Sequence, residues 1–247
     1  MIICLMAASL AGFQTPAPAK LVSNMLGVYH EAKSIVGSIK MTQSAMGKEL
    51  VTETQLQFEK PDRIFIRQVR GGSTPMSWLA TSDGVNMSYD VPNDIRESNW
   101  VKDRRLVEPL QQRDYKLGFT DIYSAFVRSL GDRSAPLDIA FSRIEDLEFL
   151  RFQWATVEDG GKVNLNGEEL DCVRGKWRLY ADVPATGTYQ MLLTKEGNLR
   201  RYSVREAVQV QINANQSSGP QEITTVWDVK LQINGKPDPA LFKIVRN

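Results

Sequence analysis

Residues 49–92 read ELVTETQLQFEKPDRIFIRQVRGGSTPMSWLATSDGVNMSYDVP, and the run divides into four strands at its turn signals. Leu56 and Phe58 lead into Phe58-Glu59-Lys60-Pro61, where proline stops one strand, and the chain restarts as Arg63-Ile64-Phe65-Ile66-Arg67. A second stop, Thr81-Ser82-Asp83-Gly84, is an Asp-Gly hairpin signal between Trp78-Leu79 and Met87-Ser88-Tyr89-Asp90-Val91-Pro92. Strands this close in sequence pair as an antiparallel meander, so the rest of the chain is expected to extend or cover this sheet.

Working outward, Met46-Gly47-Lys48 turns the stretch back onto a period-two run with Ile35, Ile39 and Met41 on one face. Before it, Leu21, Met25, Leu26, Tyr29 and Ala32 recur at helical spacing over residues 20–33, an amphipathic helix. After it, residues 91–112 are polar and short of apolar repeats, which predicts a flap or irregular edge. Thr120 is placed to cap a helix with face Ile122, Tyr123, Phe126, Val127 and Leu130. Pro136 suits the first turn of another, and Ser142-x-x-Glu145 has capping-box spacing before Leu147, Phe149 and Leu150. Strands return over residues 176–180, 189–194, 199–210 and 222–233, and the last alternates cleanly, Trp227, Val229 and Leu231 against Asp228, Lys230 and Gln232. The organisation expected is one domain over residues 20–247 with a helical insertion around 119–151.

Thirty Lys+Arg against twenty-nine Asp+Glu leave a net charge of +1, with no footprint for nucleic acid. Residues 1–12 are apolar but too short to span a bilayer, and Ser9-Leu10-Ala11 suits signal-peptidase cleavage, although no Lys or Arg precedes the run. Residues 1–19 are therefore read as a leader and short tether, and the mature chain as exported to the periplasm without a transmembrane segment. Cys4 lacks the preceding hydrophobic region of a lipidated cysteine. With the leader removed, Cys172 has no disulfide partner.

Catalytic chemistry is hard to assemble from these residues. The single histidine, His30, falls on the polar side of the first helix, too few imidazoles for a zinc site or a hydrolase triad. Cys172 lies in the strand-like run Leu170-Asp171-Cys172-Val173, where a small apolar side chain is the usual occupant. The carboxylate pairs Asp146/Glu148 and Asp138/Glu145 read as a solvated helix face rather than a glycosidase acid and base. Arg70-Gly71-Gly72-Ser73 lacks the Lys-Ser/Thr of a phosphate loop, and the Arg104-Arg105 and Arg200-Arg201 pairs lack interleaved aromatics. A binding protein without a cofactor is expected, not an enzyme.

Laid out in this order, the chain resembles the periplasmic lipoprotein carrier family, LolA, and its relatives LolB and the RseB-like sensor domain. That family has a helix, a hairpin, a strand ending in Arg-Pro, an aromatic strand and a Ser-Asp-Gly hairpin. Matching features here are the first helix, Lys60-Pro61, Ser82-Asp83-Gly84, the Gly197-Asn198 turn and the closing Asp238-Pro239-Ala240-Leu241-Phe242-Lys243-Ile244. The resemblance implies an α+β fold, an unclosed antiparallel β-barrel wrapped over a layer of helices, and an apolar cavity between them. It implies a partner of lipid or lipoprotein acyl chains, an envelope protein as donor or acceptor, and a monomer. The cavity-facing candidates are Ile39, Met41, Leu56, Phe58, Ile64, Ile66, Met87, Tyr89, Trp227, Val229 and Leu231. Alternation suits a packed core and a lined cavity equally, and a sensory domain binding a protein partner is the other reading. Where the carrier holds its helical lid with arginine this chain has Lys60, a point charge without a bidentate fork, so a lid held here should be weaker.

Overall fold

The computed structural model describes residues 17–90, 105–132, 134–142, 144–179, 183–213 and 216–244. The leader, its tether up to residue 16, Cys4 and most of the 91–112 segment lie outside them. Helix α1 (Pro18–Glu31) opens with proline in its first turn and buries Leu21, Val22, Met25, Leu26 and Tyr29. Strands β1 (Ser34–Ala45), β2 (Lys48–Glu59), β3 (Arg63–Arg70), β4 (Met76–Asp83) and β5 (Asn86–Asp90) follow as a meander, and β6 (Arg105–Pro109) adds an edge. The four strands read from residues 49–92 are β2 to β5.

Three helices come next, α2 (Phe119–Val127), α3 (Ala135–Phe141) and α4 (Ile144–Gln153). The second meander is β7 (Glu158–Leu165), β8 (Glu168–Trp177), β9 (Gly187–Leu193), β10 (Leu199–Asn213) and β11 (Gln216–Ile233). All eleven strands among the described residues form one antiparallel sheet, ordered β6-β5-β4-β3-β2-β1-β11-β10-β9-β8-β7. Chain ends meet in the middle: β1 pairs with β11 from Ile35↔Ile233 to Ala45↔Ile223, joining the two meanders. Gly37 is needed in this seam, because a Cβ there would lie 2.0 Å from the Lys230 carbonyl oxygen. The edges β6 and β7 do not pair, so the barrel is unclosed.

One face of the sheet packs on the helices. Phe58 meets Phe119 edge-on at 4.8 Å and Phe141 at 5.3 Å, Phe141 stacks on Tyr123, and Tyr89 meets Phe126. On the other half, rings form the series Trp154, Tyr189, Tyr202 and Trp227. The outer face is covered locally by a 3-10 turn, Pro239–Phe242, which packs on β3 and β4 and buries Phe242. Gln57 holds it with both ends of its amide, donating to the Asp238 carbonyl at 2.8 Å and accepting from the Asp238 N–H at 3.1 Å.

Several local readings need correction. Gly118, not Thr120, precedes the first residue of α2, and the Asp121 carboxylate accepts from the Gly118 N–H at 3.2 Å. Ser142 closes α3 instead of opening α4: its backbone is left-handed at φ 52° and its hydroxyl donates to the Ile139 carbonyl. The strand placed at 176–180 is the end of β8, which stops at Trp177, and the β7–β8 hairpin was overlooked. Its turn carries Asn166-Gly167 at φ 55° and 90°, the strongest short hairpin signal there is. The solvated-face reading fails for Asp138 and Asp146, both buried; Asp138 accepts from the Tyr123 hydroxyl at 2.9 Å.

Between α2 and α3 the chain is pinned to β2 and β3 through Asp132. Its carboxylate accepts from Arg70 Nη2 at 2.7 Å and Nε at 3.3 Å, and from the Thr52 hydroxyl. Gln68 donates to the Asp132 carbonyl at 2.7 Å and accepts from its N–H at 3.1 Å, while Arg70 also reaches the Gly131 carbonyl. Because the pair is mostly buried, removing one partner strands a guanidinium. Asp132→Ala is expected to lower unfolding free energy by about 2–3 kcal/mol in urea titrations. A loss below about 0.5 kcal/mol, ordinary for a surface position, would show that the loop is held otherwise.

Candidate functional site

By period two the eleven candidates share the inward face of the sheet, eight on β1, β2, β3 and β5 and three, Trp227, Val229 and Leu231, on β11. Ile39, Met41, Leu56, Phe58, Ile64, Ile66, Met87, Val229 and Leu231 are buried. Tyr89 and Trp227 are partly buried and pack against the same cluster. Phe58 and Tyr89 touch the helices through the ring contacts above, and all of the eleven but Met41 belong to or pack against the cluster that contains the helix residues. The candidates are thus brought together as the wall of one helix–sheet seam.

Lys60 lies at one end of that seam, before a cis peptide to Pro61. Its ammonium donates to the His30 carbonyl in the last turn of α1 at 2.8 Å and lies 5.5 Å from the centre of the Phe119 ring. A cation suits the negative end of a helix dipole and the face of an aromatic ring. Half-burial pulls the Lys60 pKa below the ordinary lysine value. One side chain therefore ties the end of α1 to the β2–β3 turn and bears on the start of α2.

Beside Lys60 is an open hollow of about 480 Å³, lined by Pro61, Leu117, Phe119 and Phe141 with His30 and Lys116 at its rim. Lys116 pairs with Asp62 at 2.5 Å, which keeps that charge on the rim. His30 serves through its backbone, and its ring is exposed, so it is not aimed at Cys172. Cys172 is buried in a separate cluster with Leu170 and Leu192, where Gln190 approaches its sulfur at 3.2 Å. Among the described residues no group of three or more His, Cys, Asp or Glu is arranged to hold a metal ion, and no helix is long and apolar enough to cross a membrane. Arg200 and Arg201 are paired with Glu168 and Asp228. Arg104 lies outside the described residues.

No protein-family model matches the chain, and no curated protein matches it. Among solved structures it is similar to the Mycobacterium tuberculosis lipoprotein LppX, at 9% identity and TM-score 0.39, covering 85% of this chain and 93% of that one. A LolA superfamily protein from Nitrosomonas europaea matches at 11% identity and TM-score 0.33, over 93% and 99% of the two chains. The Pseudomonas aeruginosa MucA/MucB complex matches at 8% identity and TM-score 0.41, over 92% of this chain and 61% of that one. The fold is the unclosed antiparallel sheet over a layer of helices that the sequence resemblance implied. That statement rests on the architecture itself: an N-terminal helix, an unclosed antiparallel sheet and a central helical layer packed on its inner face.

In the second half of the inner face the candidates stop at β11, and Glu206 was missed. Its signal is in β10, where Tyr202 and Val204 set an inward alternation and Glu206 takes the next inward place. A carboxyl group at an apolar position of a strand is the kind of local conflict that marks function. Burial pushes the Glu206 pKa above the ordinary carboxyl value of 4.5. With the folded pKa above the unfolded one, the folded state holds the extra proton between them, so Glu206 lowers stability as pH rises through that window. Glu206→Gln is expected to raise Tm at pH 7, with the gain disappearing below pH 4.5; a Tm difference that does not vary with pH would contradict the burial account.

Proposed function

We propose that this chain is an exported, non-catalytic binding protein that holds a lipid or lipoprotein acyl chain between sheet and helices for transport in a periplasmic envelope. The observation that carries the reading is the unequal fastening of the helical layer. Near one end Asp132, Arg70, Gln68 and Thr52 make a multi-point clamp. At the other, Lys60 makes one hydrogen bond to a carbonyl and the half-exposed Lys116 pairs with Asp62, beside an apolar hollow. A layer fastened this way opens at the Lys60 end, and what it uncovers is the wall of Leu56, Phe58, Ile64 and Ile66. Those four residues and their neighbours are the proposed acyl-contact surface.

Energetics set the mode of action. Each buried methylene gains about 0.8 kcal/mol, so a sixteen-carbon chain gains on the order of 12 kcal/mol over water. A bilayer offers nearly the same gain, so affinity alone cannot extract the lipid. Such a protein accepts its cargo from a donor, shields it and passes it on. Opening must be cheap for this to work, and a hydrogen bond from a charged group contributes only about 1.5–3 kcal/mol.

Two measurements test the reading. Native mass spectrometry of protein purified from a periplasm is expected to show a co-purifying lipid, and a fluorescent fatty acid is expected to bind. In stopped-flow experiments Lys60→Ala should speed release of that probe several-fold, and Lys60→Arg, with its fork of donors, should slow it. Absence of both lipid and probe binding, with a protein partner recovered by cross-linking, would instead make the sheet a protein-binding surface.

A further inference from the structure

At the end of the sheet opposite Lys60 a second cleft opens between helices and strands. The register places it: Ser34 pairs with Glu59 at the Lys60 end, whereas Ala45 and Glu206 both pair with Ile223 at the other. The cleft has a volume of about 230 Å³ and lies between α3, α4 and strands β8, β10 and β11. Water occupies about 30 Å³ per molecule in the liquid, so this space holds a group of roughly eight heavy atoms. It is too small for an acyl chain and large enough for the end of a smaller molecule.

Its walls are aromatic. Trp177, Tyr202 and Trp227 line it from the strands, and Phe149, 41% exposed, stands at the rim from α4. Tyr202 and Trp227 are stacked with centroids 5.3 Å apart, and the Trp154 indole N–H donates to the Tyr202 hydroxyl at 3.1 Å, which fixes the pair. The buried Trp227 Nε1 has no acceptor among the described residues.

Glu206 gives the cleft its charge. Four residues along the face from Tyr202, its half-buried carboxyl group has no ion pair and no hydrogen bond among the described residues. The other acidic group in the lining, Asp138, is bonded to Tyr123, and the described lining contains no Lys, Arg or His. Aromatic faces attract cations through their quadrupole, more strongly when water is excluded, and a partly desolvated carboxylate lacks the counter-charge that would stabilise it. An anion would meet repulsion here, and a neutral group would leave the carboxylate uncompensated.

We propose that this cleft is a binding site for an organic ammonium ion, a protonated primary amine or a quaternary ammonium on a small apolar body, with Glu206 as counter-ion and Trp177, Tyr202 and Trp227 as the aromatic wall. Its own residues define this site, which stands whether or not an acyl chain enters at Lys60. The test compares 2-phenylethylamine with 2-phenylethanol, matched in heavy-atom count and differing in charge, by titration calorimetry on the purified chain at pH 7. The amine is expected to bind at least tenfold more tightly than the alcohol. Glu206→Gln should remove that difference while leaving alcohol binding within twofold, and Glu206→Asp, folded and still charged, should keep a preference for the amine. Equal affinities, no binding of either compound, or an amine preference that survives Glu206→Gln would each overturn the assignment.

Discussion

The inner architecture depends on the fastening of Asp132 to β2 and β3. Without it, the turn between α2 and α3 has no fixed position over the sheet, and the aromatic contacts of both helices lose their register. Arg70 does three things there: it pairs with Asp132, reaches the Gly131 carbonyl and lies 5.1 Å from the centre of the Trp78 ring. Gly131 is part of the same fit, since a Cβ at that position would stand 2.5 Å from the Trp78 indole. Backbone amide, carboxylate and ring are thus satisfied together, which a partly buried charge pair requires if it is not to cost more than it gains.

The two halves of the inner face solve burial differently. Beneath the first meander phenylalanines and aliphatic side chains predominate, with Tyr89, Tyr123 and Trp78 among them and the Tyr123 hydroxyl bonded to Asp138. Under the second, tyrosines and tryptophans dominate, and their polar ends need partners. The Tyr189 hydroxyl donates to the Thr156 carbonyl at 2.7 Å, and the Tyr29 hydroxyl accepts from the Leu199 N–H at 3.3 Å. Burial pushes the Tyr29 pKa up to about 12 and raises that of Tyr202, so both stay neutral in the physiological range.

Much of this was legible in sequence because turns and period two are local. Lys60-Pro61 and Asp83-Gly84 fix where strands stop, and alternation then assigns Leu56, Phe58, Ile64 and Ile66 to one face. The β7–β8 hairpin was harder, since Gly160 and Gly161 break the alternation and the Asn166-Gly167 turn must then carry the reading alone. Gly160 has a structural reason, as a Cβ there would lie 2.3 Å from the Cys172 sulfur. Ser142 was misread because a serine beside a helix end fits an N-cap by residue type, whereas its backbone closes the preceding helix. Asp132 was illegible because it takes its meaning from Arg70, distant in the chain, whereas Glu206 shows locally as a carboxyl group in the inward alternation of β10 and only its neighbours on β8 and β11 are remote.

A filled interior in the unliganded chain is what packing energetics require of a carrier. An empty apolar cavity costs about 24 cal/mol per Å³, so a ligand-sized void of about 300 Å³ would cost about 7 kcal/mol. Against a typical total stability of about 5–15 kcal/mol, such a void is barely tolerable. Under the proposed function, the cheaper solution is to let Phe119 and Phe141 occupy the seam against Phe58 and to surrender it when cargo arrives. Burial of the wall residues therefore fits a carrier and an inert core alike. A core meant to stay closed gains from equal anchors at both ends. Here one end has a guanidinium clamp, and the other two lysine ammoniums, Lys60 over a ring and the half-exposed Lys116 on Asp62, beside an apolar hollow.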